Sequence, residues 1–313
     1  MLMSTREAFG KMLAELGARD ERIVVLDADL ATSTRVDIFA KKFPGRFFEM
    51  GIAEQNMVGY AAGLASMGFV PVVSTFAAFA SRRACDQVSI SVAYPKMNVK
   101  IVGAYGGSFC GKGGATHQAY EDIAIMRAIP NMIIISPVDG IETQQALAEA
   151  IEYDGPVYFR TARPDTPTLF AGDYRFEIGR GVVLREGEDV AMISTGILTL
   201  DALEAAGILQ EQGIEPYLLH VPTLKPLDRE AVVRAATTAG VVVTVEDHSV
   251  IGGLGSAVAE VLSRYRPTYM AMVGMEDRFG ESGADAELKE KYGLNAAGIA
   301  KKAVQMYRAK KGL

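Results

Sequence analysis

Four short Val/Ile-rich runs, "RIVVLDAD", "FVPVVST", "NVKIVGAY" and "NMIIISPV", each give way to a stretch of helical length and pattern. A brief apolar run predicts a buried strand, and its alternation with helices predicts a mostly parallel sheet covered on both faces. The first such series is expected over residues 1–165. The stretch "TARPDTPTLFAGDYRFEIGRG" then breaks the pattern with two prolines and a Gly-Asp, so residues 166–180 read as a linker. A second series over residues 181–313 contains "DVAMISTG", "EPYLLHV" and "VVVTVEDHS" as strands. Its helices "TLDALEAAGILQEQG" and "DREAVVRAATTAG" are closed by Gly213 and Gly240. The expected fold class is α/β, with two successive open α/β domains.

Open parallel sheets bind ligands beyond the carboxyl ends of their strands, which directs attention to residues 27–34, 75–83, 104–117, 137–140 and 246–248. Near them stands "FFEMGIAEQNMVGYAAGLASMG", whose Gly/Ala content predicts close packing and whose Glu54 opens a helix. An acid in a first turn complements the helix dipole by about 0.3–1 kcal/mol. Helical spacing also puts Glu54 on one face with Met57, Val58 and Ala61, however, and a carboxylate on an apolar face can hold or exchange a proton.

In "STFAAFASRRACDQV", Phe76 and Phe79 are three apart, which suits either a core pair or a platform for a flat heteroaromatic ring, with Arg82 and Arg83 nearby for anions. The loop "GAYGGSFCGKGGATHQAYED" packs six glycines into a dozen residues before His117. Glycines permit close ligand approach but equally make a plain loop, and His117 suits a helix start as well as catalysis. "VEDHSVIGGLGSAVAEVL" lacks the full glycine spacing and following acid of a nicotinamide site. His220 and His248 are expected in packing or interface roles.

Composition narrows the class. With 313 residues, 49 % of them hydrophobic, the chain can bury sizeable cores. A net charge of −6 and no basic block longer than the terminal Lys310-Lys311 pair argue against nucleic-acid binding. Cys85 and Cys110 are the two cysteines and lack ligand spacing, so neither a disulfide framework nor a zinc site is expected. With no secretory h-region and no long apolar run, a soluble cytoplasmic protein without membrane contact is expected.

Seven ordered stretches resemble the C-terminal half of transketolase, the thiamine-diphosphate family that includes deoxyxylulose-phosphate synthase and the 2-oxoacid dehydrogenase β subunits. They are "MGIAEQNMVGYAAGLA", "TFAAFASRRACDQV", "GGATHQAYEDIAIMRAIPNMIIISPVDGIE", "YFRTARP", "VPTLKPLD", "TVEDHSVIGGLGSAVAE" and "DRFGESGADAELKEKYGL". The resemblance implies a pyrimidine-binding domain followed by a transketolase C-terminal domain. It implies that Glu54 hydrogen-bonds the aminopyrimidine N1′ and favours its imino tautomer. It places Phe79, with Phe76 beside it, against that ring, Leu30 against the thiazolium, and Arg82 among the cofactor contacts. It assigns Arg6, Ser33 and Arg160 to a substrate phosphate and His117 to the substrate carbonyl.

Two positions depart from the transketolase pattern: Gly113 stands where an acid usually reads a substrate hydroxyl, and Tyr105 where a histidine is usual. The "GDG" motif that holds the diphosphate and Mg²⁺ in the family is absent from the sequence. The resemblance therefore implies an N-terminal partner subunit bearing "GDG", homodimerisation of this chain and an α₂β₂ heterotetramer. The implied reaction is transfer of a two-carbon ketol unit from a ketose phosphate to an aldose acceptor, with room for a branched or sulfonated sugar. The alternatives are a 2-oxoacid dehydrogenase β subunit and a deoxyxylulose-phosphate-synthase-like activity.

Overall fold

The computed structural model describes residues 2–312. Its first sheet has seven strands, in the order Thr223–Lys225, Ile133–Ile135, Val157–Arg160, Lys100–Ala104, Val70–Phe76, Ile23–Asp27 and Phe47–Glu49. All are parallel except Thr223–Lys225, which pairs antiparallel with Ile133–Ile135. The second sheet runs Tyr269–Met275, Val241–Ser249, Val190–Ser194, Pro216–His220 and Val182–Arg185, with only the last strand antiparallel. The α/β fold class expected from the alternation is the one observed.

Strands such as Ile23–Asp27, Lys100–Ala104 and Val190–Ser194 are buried along their whole length, as parallel strands covered on both faces must be. The two series do not separate cleanly. Thr223–Lys225 follows the strand Pro216–His220 of the second sheet yet lies on the edge of the first. One apolar cluster runs from Leu26, Ile101 and Ile134 across to Ile193, Leu219 and Val232. The stretch read as a linker is also tied down. Asp165–Pro167 pairs with Leu2–Ser4, and Phe176 packs with Phe9, Ile135 and Leu147.

The helix Glu54–Ser66 is packed on one side only. Glu54, Met57, Val58 and Ala61 are buried on the shared face that the spacing predicted. Around Gly59 and Gly63, by contrast, a Cβ would meet nothing within 4 Å, so these glycines present an open face with Tyr60 beside it. No helix among the described residues is long and apolar enough to cross a membrane.

Candidate active site

The strand Val70–Phe76 delivers Phe76 at its carboxyl end, and the short helix Ala77–Arg82 follows and carries Phe79. Their ring centroids lie 5.7 Å apart. The neighbouring strand Lys100–Ala104 ends at Tyr105, whose φ of +59° is unusual for a residue with a side chain and turns the glycine-rich loop back over the sheet. Tyr105 stands 4.3 Å from Phe76, and His117, from the far end of the loop, reaches edge-on to Phe76 at 6.0 Å and Phe79 at 5.5 Å. Thr116 Oγ1 lies 2.8 Å from His117 Nδ1. The imidazole Nε2 has no hydrogen-bond partner among the described residues.

Glu54 joins this aromatic cluster through a residue that sequence reasoning mentioned but did not assign. Arg83 Nη1 donates to Glu54 Oε1 at 2.7 Å, and the guanidinium carbon sits 3.9 Å from the Phe79 ring centre. Arg82, expected among the cofactor contacts, turns the other way: it donates to the carbonyls of Ala78 and Gln118 and pairs with Glu121. Both arginines are one turn beyond Phe79 and near its face, so it is their partners that separate them: Glu121 and the Gln118 carbonyl draw Arg82 away, and Glu54 draws Arg83 over the Phe79 ring.

Arg6 contacts Tyr105 as well, with its guanidinium carbon 5.1 Å from the ring centre. Arg6 Nη1 donates to Tyr105 Oη at 2.7 Å and to the Ser33 carbonyl at 2.8 Å, and the Arg6 Nε is buried without a partner. Leu30 is in the adjoining turn, where its backbone N–H donates to Asp27 Oδ2 at 2.6 Å. Burial pushes the Asp27 carboxyl up to about 7, with nearby Glu49 adding to the rise. Glu49 in turn accepts the N–H groups of Asp29 and Gly51, so one acid clamps the Leu30 turn and the loop leading to Glu54.

Arg160 requires a correction. It was expected to grip a substrate phosphate, but it is buried and its guanidinium is spent on Asp122 Oδ2 at 2.8 Å and on the carbonyls of Ala119 and Asp247. Burial alone would raise the Asp122 carboxyl, but Arg160 and then His248 outweigh it and hold the group below its ordinary value. The Arg160 charge is thus neutralised internally, and the residue supports the loop from beneath.

The loop is also held from the C-terminal part of the chain, by Asp247 of the second sheet, Glu281 and Asp285 at the start of the helix Asp285–Tyr292, a contribution that sequence reasoning missed. Asp247 Oδ1 accepts the Ser108 N–H, Asp285 Oδ1 accepts the Gly111 N–H, and Gln118 bridges the carbonyls of Ser108 and Glu281. A Cβ on Gly107 would collide with the Asp247 carboxylate, which explains why this turn requires glycine. The only available signal was the carboxyl-end position of residues 246–248.

The family description "Transketolase, pyrimidine binding domain" matches residues 2–168, and "Transketolase, C-terminal domain" matches residues 179–299. The chain belongs to the transketolase family. Like its relatives it corresponds to the C-terminal section. A putative transketolase C-terminal section of Methanocaldococcus jannaschii is 48 % identical, over 96 % of this chain and 95 % of that one. A 6-deoxy-6-sulfo-D-fructose transketolase subunit of a Clostridium species is 46 % identical, over 97 % and 95 %. Among solved structures, a split-gene transketolase described as an inactive β₄ tetramer superposes with a TM-score of 0.91 at 50 % identity, covering 97 % of this chain and 98 % of that one.

Proposed function

We propose that this transketolase section supplies the pyrimidine-ring half of a thiamine-diphosphate site in a two-chain enzyme that moves a two-carbon ketol unit from an anionic ketose to an aldose acceptor. The observation that carries the reading is the convergence of Glu54, Phe76, Phe79 and His117 on one side of Tyr105 and of Arg6 and Ser33 on the other. A flat ring and an anion are the two chemistries these side chains suit. Bound thiamine diphosphate supplies the carbon nucleophile of the family's reactions.

The chain's own residues do the rest. Phe79 and Phe76 seat the aminopyrimidine, while Glu54 holds the proton at its ring nitrogen. The turn clamped by Asp27 and Glu49 carries Leu30 toward the thiazolium. His117 Nε2 holds or moves a proton at the substrate carbonyl oxygen. Arg6, with Ser33 and the Tyr105 hydroxyl, binds the anionic tail. The diphosphate and Mg²⁺ are assigned to an N-terminal partner subunit, because the sequence holds no "GDG". Two copies of each chain complete the assembly.

Tyr105 and Gly113 favour an unusual sugar, and the 46 % identity to a subunit whose enzyme acts on a sulfonated fructose supports a sulfonated or otherwise atypical donor. Co-expression with a "GDG"-bearing subunit, followed by ketol-transfer assays with Mg²⁺ and thiamine diphosphate on phosphorylated and sulfonated ketoses, tests the reading. Turnover on at least one anionic ketose is expected. Lipoyl-dependent oxidation of a 2-oxoacid with no ketol transfer would overturn it.

A further inference from the structure

Arg83 satisfies both partners that the ring seat offers. Its Nη1 donates to Glu54 Oε1 at 2.7 Å, and its guanidinium carbon lies over Phe79, 3.9 Å from the ring centre. We propose that Arg83 is a positioning residue that occupies the aminopyrimidine seat while the cofactor is absent and is exchanged for the ring when the cofactor binds. This rests on the ring-seat reading of Glu54 and Phe79.

The chemistry of exchange is a match of shape and charge. An aminopyrimidine protonated on its ring nitrogen is a planar, delocalised amidinium that donates N–H to a carboxylate and stacks on an aromatic face. A guanidinium has the same three properties. Glu54 is only 4 % exposed, and a buried carboxylate without a partner is costly, so the free chain gains from an internal cation there. The arginine itself is not sealed in. Its side chain is 46 % exposed, and Glu54 is its only ion-pair partner among the described residues. Displacement releases a flexible cation into solvent rather than breaking a core. Arg82, held by Glu121 and the Gln118 carbonyl, stays out of the exchange.

The test is calorimetric titration of thiamine diphosphate, with Mg²⁺, into the assembled two-chain enzyme carrying wild-type, Arg83→Ala, Arg83→Lys or Phe79→Ala subunits. Removing the competitor should make Arg83→Ala bind about 3- to 10-fold tighter, the combined worth of one stack and one half-exposed ion pair. Its melting temperature without cofactor should fall, and the stabilisation by cofactor should widen. Arg83→Lys keeps the ion pair but loses the flat stack, so it should bind with intermediate affinity. Unchanged or weakened binding in Arg83→Ala, with Phe79→Ala weakened, overturns the role of Arg83 and leaves the ring seat standing. Wild-type binding that is absent, or unaffected by Phe79→Ala, overturns the ring seat and this inference with it.

Discussion

The chain holds two clusters made of the same ingredients, an arginine, a carboxylate, an aromatic ring and a histidine, placed in opposite surroundings. Around Glu54, Arg83, Phe79 and His117 the guanidinium is half exposed and the imidazole Nε2 has no hydrogen-bond partner among the described residues. Around Asp122, Arg160, Tyr158 and His248 the side chains are sealed: Tyr158 Oη donates to Asp122 Oδ2 at 2.7 Å, and Arg160 spends its donors on Asp122 and two carbonyls. A sealed pair cannot change partners without unpairing a buried charge, whereas a half-open pair can. Accessibility, not residue type, separates a candidate site from its foundation.

Substitutions in the two clusters should therefore fail in different ways. The largest effect is expected for Glu54→Gln, which keeps shape but cannot exchange a proton. Turnover of the assembled enzyme should drop by about 10²–10⁴-fold while the thermal midpoint stays put. Near-normal turnover would dissolve the contrast between the clusters. Arg160→Ala should instead leave Asp122 buried and unpaired and cost about 3–5 kcal/mol in urea unfolding. Any molecules that fold should show equal losses on phosphorylated and neutral substrates, and a selective rise in KM for phosphorylated ones would return Arg160 to the site.

The sealed cluster also has a concealed pH response. Burial lowers the His248 pKa from 6.5 to about 4, which keeps it neutral near pH 7, and raises the Glu246 pKa from 4.5 to about 7. Stability through His248 is intact above pH 6.5 and is lost as pH falls toward 4. Stability through Glu246 is intact below pH 4.5 and is lost as pH rises toward 7, so the two offset each other across the shared window. Glu246→Gln should uncover the His248 response, a loss of up to ~3 kcal/mol on acidification, read as the urea midpoint against pH. A flat profile in that variant would show that the histidine does not titrate with folding.

The smallest effect is expected at Arg6, proposed above to bind the anionic tail. Arg6→Ala should raise KM for anionic substrates about tenfold, a change of ~1.4 kcal/mol, with kcat and the unfolding midpoint little altered. An equal change on neutral aldoses would mean that Arg6 supports Tyr105 rather than binding a tail.

Much of this was legible in one dimension. The Val/Ile runs read directly as strands because parallel strands are buried on both faces, and the spacing of Glu54, Met57, Val58 and Ala61 named a buried face because helical periodicity leaves little choice. Phe76 and Phe79 read as a pair from their spacing, but His117 could be singled out without being joined to them, since it meets them only when adjacent parallel strands bring their carboxyl ends together. Arg160 was misread for the same reason. Its motif is that of an anion grip, and its neutralising acid, Asp122, is 38 residues away in sequence. The edge strand Thr223–Lys225 left no trace in the pattern, because three residues carry too little periodicity to announce a strand.

The strand and helix series, the apolar faces and the set of residues able to do chemistry follow from the order of amino acids alone, because those depend on local period and side-chain type. Only the folded chain settles which of two adjacent arginines meets Glu54, which arginine is spent inside, and that Asp247 of the second sheet and Asp285 at the start of the helix Asp285–Tyr292 hold the glycine-rich loop. Those outcomes turn on burial and on partners distant in the chain, and both come into being only when the sheets close on one another.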